Sequence, residues 1–262
     1  MDSQRRSIVT SGLMGLAAAG AVTAATPGRR RESPEHISER QAQQAAAARC
    51  VENTMSRYTV YESLGRVGDA LDEFALSEKD VQADVDFGFY YGADSIRKFC
   101  SVNGLLIGDS AAGTLRNGAT HLNANTTPII EVAEDLKTAK GLWLSASALT
   151  FGSPSKGFQP RIGYSRRAAD FIYVDGRWKL WHFMVYGLIS APIGKPWTDN
   201  DVVEENMRNR FDWIPDHLKP DLPTDVGVGA AGGWRPDRPI MQVKVPTPYK
   251  TFEETFIYAR TS

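Results

Sequence analysis

The residues best suited to chemistry lie between Thr120 and Trp143, in the run THLNANTTPIIEVAEDLKTAKGLW. His121 is one of four histidines in the chain, and Asn123, Asn125 and Thr127 follow it at period two. Side chains at i, i+2 and i+4 of a strand share a face, so this spacing predicts a polar row on one face of a sheet. Such a row is costly inside a protein unless it is hydrogen-bonded or lines a wet pocket. An imidazole there can take up and return a proton near neutrality, its unperturbed pKa being about 6.5. His121 is therefore the leading acid–base candidate. Asn123 could hold a substrate hydroxyl, and Trp143 would give an aromatic wall.

More candidates come from the flanking segments. From Ile37 to about Leu64 the chain is rich in Ala, Gln and Glu, with Val51, Met55, Tyr58 and Glu62 at helical spacing. This predicts a long helix, started near Ser38, carrying Tyr58, Tyr61 and Glu62 towards its end. The tyrosines could donate hydrogen bonds to a leaving hydroxyl or a developing oxyanion. A half-buried Glu62 could orient His121 or serve as a base, its pKa raised by desolvation. Arg166 and Arg167 precede an apolar strand, and alternation sends one of them inward, where a guanidinium would stabilise a phenolate or carboxylate. His182, after Trp181, could also face the pocket. Each has a plainer reading: helix packing for the tyrosines, a surface site for Glu62, a rim for the arginines, a structural histidine at 182.

The elements that must position these groups can be read in order. A second helix is expected at about Asp69–Phe74, then a strand pair in SEKDVQADVDFGFYYG, then a third short helix from Asp94. Strands follow at about 120–133, 139–151, 163–174 and 177–189, and Val174-Asp175-Gly176-Arg177 signals a tight hairpin. Helices followed by long antiparallel strands predict an α+β sheet with helices on one face. The last strand, RWKLWHFMVYGLI, is apolar on both sides, with Trp178, Leu180, His182, Met184 and Tyr186 expected on one face and Trp181, Phe183 and Val185 on the other. Its outer face should therefore be covered by a subunit contact or by the tail, and a homo-oligomer (dimer or trimer) is expected. A helix is expected from Asp199 to Arg210. The remaining arm has seven prolines between Pro215 and Pro248, yet it holds Trp213, Trp234, Tyr249, Phe252, Phe256 and Tyr258. So many aromatics in a tail predict that it wraps the core or a neighbouring subunit.

The bulk composition bounds the class. With 262 residues and 42% hydrophobic content, one good core can be buried. A net charge of −1 gives no electrostatic reason to expect nucleic acid or an anionic membrane as partner. No run after residue 30 predicts stable membrane insertion. Cys50 and Cys100 are the two cysteines. There is no CxxC, HExxH or Cys/His cluster, so no structural or catalytic zinc site is expected. Arg5-Arg6 before the weakly apolar run Leu13–Ala25 looks like a twin-arginine export signal, which implies a bacterial periplasmic location. The expected organisation is a signal over 1–25, a linker over 26–36, an α+β domain over 37–192 and an extension over 193–262.

Taken in order, these motifs resemble the nuclear-transport-factor-2-like superfamily, in particular its SnoaL-like enzymes. The resemblance covers about residues 40 to 190. It rests on Arg57-Tyr58 in the first helix, Phe89-Tyr90-Tyr91-Gly92, Thr120-His121, Pro128 to Val132, Lys137 to Trp143, and Asp175 to His182. It implies a cone: a strongly curved antiparallel sheet with N-terminal helices on its concave face, enclosing a hydrophobic pocket. It assigns His121 to the pocket histidine of the dehydratases in this group and Tyr58 to their first-helix tyrosine. Where those enzymes carry an aspartate on the first helix, this chain has Thr59 and Ser63, and Glu62 is the nearest carboxylate. The reaction implied is a cofactor-independent, acid–base elimination on a hydroxylated, hydrophobic aromatic small molecule, with loss of water or of formaldehyde, as from a lignin-derived diarylpropanediol. Isomerase or cyclase chemistry on a steroid- or polyketide-like substrate, or non-catalytic carriage of hydrophobic ligands, would use the same scaffold.

Overall fold

The first helix begins where its chemistry allows. The Ser33 side chain accepts a hydrogen bond from the His36 backbone N–H at 3.3 Å, and Pro34, with its pre-set φ and no N–H to leave unpaired, occupies the first turn. Helix α1 (Pro34–Ser63) therefore starts earlier than expected, inside the segment read as a linker. The computed structural model describes residues 33–85, 87–153, 157–207, 214–223, 233–237, 239–240 and 242–259. The expected export signal lies outside them, as does Trp213. Val51, Met55, Tyr58 and Glu62 fall on one buried stripe of α1, as their spacing predicts.

Two further helices, α2 (Val67–Asp72) and α3 (Ala93–Ile107), flank a hairpin of β1 (Gln82–Val85) and β2 (Gly88–Tyr91). Four long strands follow: β3 (Thr120–Val132), β4 (Thr138–Ser153), β5 (Gly157–Val174) and β6 (Arg177–Pro192). Helix α4 (Asn200–Met207) and the short strand β7 (Leu222–Pro223) come after them. The β5–β6 turn has positive φ at both Asp175 (53°) and Gly176 (75°), the pattern that matches the twist of a two-residue hairpin.

The strand order is β3-β4-β5-β6-β1-β2-β7. This corrects the expectation of a cone-shaped, wholly antiparallel sheet. The sheet is mixed, because β1 pairs in parallel with β6 (Gln82 opposite His182), and it is open, with edges at β3 and β7 rather than strong curvature or closure. No tight turn joins β1 to β6, so nothing forces them antiparallel. The helices pack on one face, where Tyr58 meets Phe74 and Phe183 edge-on at centroid distances of 5.5 and 5.2 Å. Such contacts add about 0.5–1.5 kcal/mol each beyond the area they bury.

A β-bulge corrects the expected phase of β6. Asp170 is opposite His182 but Phe171 is opposite Leu180, so Trp181 is an extra residue. Trp178 and Leu180 therefore share the helix-covered face with Phe183 and Val185, while Trp181, His182, Met184 and Tyr186 point outward. Part of that outer face is covered by the arm: Phe256 and Tyr258 pack with Leu142, Ala168, Met184 and Tyr186. Cys50 is exposed, Cys100 is buried, and both are free thiols. Among the described residues no helix is long and apolar enough to cross a membrane.

Candidate active site

Strand β3 alternates as its sequence predicts. His121, Asn123 and Asn125 are half-buried on the helix side, whereas Leu122, Ala124 and Thr126 are exposed. Thr127 leaves the row, for its φ of 49° coincides with a register shift between Thr126 and Ile129. Pairing extends the polar face across the sheet: Asn123 lies opposite Ser147, which lies opposite Gly163, which lies opposite Ser190. The next rank is Asn125, Ser145, Ser165 and Gly187. This floor is small and polar, and glycine at 163 lets it lie low. A Cβ there would come within 2.8 Å of Ser147 Oγ.

Glu62 hangs from α1 over this floor as the hub of a hydrogen-bond network. Its Oε2 accepts from Arg167 Nη2 and from Asn123 Nδ2, both at 3.0 Å. Its Oε1 accepts from the Tyr58 hydroxyl and from Asn103 Nδ2, both at 3.3 Å. One turn earlier, Thr59 Oγ1 accepts from Asn125 Nδ2 at 2.9 Å and from Arg167 Nη1 at 3.4 Å, and itself donates to the Met55 carbonyl. Helix α1, helix α3 and strands β3 and β5 are thus tied to one carboxylate. Glu62 and Arg167 are both about 5% exposed at the side chain, so the pair is essentially dry.

The electrostatics separate the two acid–base groups. Burial pushes the Glu62 pKa up, but Arg167, His121 and the Arg167 and Asn123 hydrogen bonds outweigh it and hold the group below the usual carboxylate value. Burial pushes the His121 pKa below 6.5; Glu62 opposes this and Arg167 reinforces it. His121 is consequently neutral near pH 7, and its Nδ1 is enclosed without a hydrogen-bond partner. Burial and the neighbouring Glu62 keep the Tyr58 phenol well above its ordinary value, so it stays protonated and donates to Glu62. The arrangement provides a neutral imidazole base beside a fixed carboxylate that would stabilise the imidazolium formed when it accepts a proton.

The structure brings His121, Tyr58, Glu62, Asn123 and Arg167 together. Tyr61 is half-buried beside them, lies under the Arg66 guanidinium at 4.8 Å, and lines a narrow crevice with Glu62 and Asn103. Trp143 is opposite Arg167 on β4, yet its ring packs over Gly141 and against Phe171 in the main core. Arg166 takes the outer face, as alternation requires once Arg167 turns inward. His182 is fully buried on the outer face, 2.8 Å from Asp170, away from the polar row. Two participants were missed from sequence. Asn103 is one helical turn from both Phe99 and Ile107, a polar residue on an apolar stripe, and that anomaly was the available signal. Thr59 was noticed only as a missing aspartate. Among the described residues no group of three or more His, Cys, Asp or Glu side chains is placed to hold a metal ion.

Solved structures to which the chain is similar in fold include the following three. One is a hexachlorocyclohexane dehydrochlorinase of LinA type 2, with 12% identity and a TM-score of 0.46, covering 61% of this chain and 95% of that one. Another is LinA type 3 from Novosphingobium barchaimii, with 14% identity and a TM-score of 0.44, covering 61% and 96%. The third is an NTF2-like protein with a cystatin-like fold from Novosphingobium aromaticivorans, with 14% identity and a TM-score of 0.42, covering 59% and 90%. At these values the likeness carries nothing about reaction. No family model and no curated relative matches the sequence.

Proposed function

We propose that the protein is a cofactor-independent lyase acting by acid–base elimination on a hydroxylated aromatic small molecule. The observation that supports this reading best is the pairing of a neutral His121 with an ionised, dry Glu62 over a small polar floor. His121 takes a proton from the substrate, and Glu62 steadies the resulting imidazolium. If the proton comes from carbon, the C–H electrons form the C=C bond while the neighbouring C–O bond breaks. The proton returned from His121 leaves with the hydroxyl as water. If it comes from a hydroxymethyl group, the O–H electrons form formaldehyde, the C–C electrons form the C=C bond, and the benzylic hydroxyl leaves as water. An electron-rich ring lowers either barrier by carrying positive charge as the benzylic C–O bond breaks.

Glu62 is not cast as the base. Four donors engage its two oxygens, and its proton affinity is lowered rather than raised. Tyr58 is committed to Glu62, which leaves Tyr61 as the other tyrosine of the crevice wall. Mass spectrometry of the full chain with hydroxylated diarylpropanes, steroids and polyketide-like compounds, alongside a formaldehyde assay, tests the proposal. Loss of water alone identifies a dehydratase, and loss of water with formaldehyde identifies the deformylating reaction. His121→Ala should lower kcat by about 10²–10⁴-fold while the fold and substrate affinity persist. Unchanged turnover in that variant removes His121 as the base, and tight binding of these compounds without turnover by the wild type removes the proposal and leaves the carrier reading.

A further inference from the structure

Three buried polar atoms on the helix side of β3–β5 take no part in the proposed reaction. Ser145 is completely buried, and its Oγ is enclosed, as are Asn125 Oδ1 and Arg167 Nε. None of the three atoms has a hydrogen-bond partner among the described residues. Buried polar groups are nearly always paired, so three left open on one face call for a ligand. They belong to one place. Asn125 Nδ2 and Arg167 Nη1 both donate to Thr59 Oγ1, at 2.9 and 3.4 Å, so these two side chains converge. Ser145 is opposite Asn125 and two residues along β4 from Trp143, which is opposite Arg167. The Trp143 ring folds away from Ser145, over Gly141.

The donor and acceptor roles at this place are fixed. Thr59 gives its hydroxyl proton to the Met55 carbonyl, so its oxygen accepts from Asn125; the amide N–H₂ faces Thr59, and Oδ1 faces away as an acceptor. Arg167 Nε only donates, and Ser145 does either. One uncharged hydroxyl meets all three, donating to Asn125 Oδ1 and accepting from Arg167 Nε–H and Ser145 Oγ–H. An anion would face Asn125 Oδ1 and would compete with Glu62, which already neutralises Arg167 at 3.0 Å. A methyl ether has no proton for Asn125. Asn125 is four residues along β3 from His121, about 13 Å at the spacing of a strand, so a hydroxyl held here is not the one that leaves. We infer that Asn125, Ser145 and Arg167 form a specificity subsite for an uncharged phenolic hydroxyl, carried on the substrate's ring away from the reacting carbons. The inference rests on the lyase reading of this site and narrows its substrates to phenols, against aryl ethers and aryl carboxylates.

Calorimetric titration of the full-length protein with 4-propylphenol, 4-propylanisole, 4-propylbenzoate and propylbenzene tests the inference. None of these compounds has a side-chain hydroxyl to eliminate, so binding is read apart from turnover. The phenol should bind about 10–100-fold more tightly than each of the other three. Ser145→Ala removes a buried hydroxyl that has no protein partner, so its melting temperature should not fall. It should weaken phenol binding about tenfold and leave propylbenzene binding unchanged. Phenol binding no tighter than that of the ether or the benzoate, or no phenol binding at all, overturns the subsite. Equal losses for all four compounds in Ser145→Ala show a structural role and overturn it too. The two readings fail separately. Turnover in the wider substrate screen without a phenol preference removes the subsite alone, and a phenol preference without turnover supports the subsite and removes the lyase reading.

Discussion

Breaking the Glu62–Arg167 pair tests the site's electrostatics from both sides. The two groups are 3.0 Å apart and almost free of solvent, so Arg167→Met leaves a buried carboxylate without its countercharge. Removing one partner of such a pair costs about 3–5 kcal/mol. Glu62→Gln keeps an acceptor for Tyr58 and Asn103 but turns an amide N–H₂ towards two donors, Arg167 and Asn123, so it too should destabilise. The double variant should cost less than the sum of the two, by a coupling of about 0.5–3 kcal/mol. Urea unfolding midpoints at pH 7 give these numbers. The same variants should move the low-pH limb of kcat/KM in opposite directions, because Arg167 lowers the His121 pKa and Glu62 raises it. Arg167→Met therefore shifts the limb to higher pH, provided it is read above the pH at which Glu62 then titrates. Glu62→Gln shifts it to lower pH. Limbs that move together, or not at all, refute His121 as the titrating base. A cost below about 1 kcal/mol for Arg167→Met would show that the pair behaves as a solvated one.

Three further outcomes are expected. Because the folded His121 pKa is depressed, stability is complete above about 6.5 and falls as pH drops from there to the folded value; Glu62, also depressed, adds a second loss below its ordinary 4.5. Thermal melts from pH 7 to about pH 3 should show both losses, and His121→Gln should remove the first and, because His121 helps hold Glu62 ionised, shrink the second. Gly141→Ala should destabilise by about 1–3 kcal/mol and disturb the near-UV spectrum, since the added methyl would sit 2.2 Å from the Trp143 ring and 3.2 Å from Phe171. Finally, Leu122, Leu144, Ile162 and Tyr164 stay 43–54% exposed on the uncovered part of the outer sheet. If that patch joins subunits, light scattering should find an oligomer in the wild type and a smaller species in Ile162→Lys.

The elements were legible because their periodicities are clean. The stripe on α1, the alternation of β3 and the Asp175-Gly176 turn each follow from local sterics, so local reading found them. Sheet topology was not legible, because the parallel approach of β1 to β6 is decided by packing between segments almost a hundred residues apart. The β6 bulge was hidden for the same reason. A single extra residue at Trp181 flips the phase, and RWKLWHFMVYGLI is apolar in either phase. That flip carries His182 from the expected pocket to the buried patch beneath the arm.

In the candidate site, residue types pointed to Glu62 and His121, but their division of labour depends on neighbours that only the fold supplies. A helix-borne glutamate reads as a base when burial is the one influence considered, since desolvation raises its pKa. Arg167 from β5, Asn123 from β3 and Asn103 from α3 reverse that outcome by satisfying the carboxylate as an anion. The same arginine pushes the histidine towards its neutral form. One guanidinium thus holds the carboxylate ionised and adds to the burial that keeps the imidazole neutral, the directions that an imidazole base with an ionised partner requires. A site held this way needs no aspartate at Thr59: with a hydroxyl there, Arg167 and Asn125 gain an acceptor without a second negative charge competing for the guanidinium.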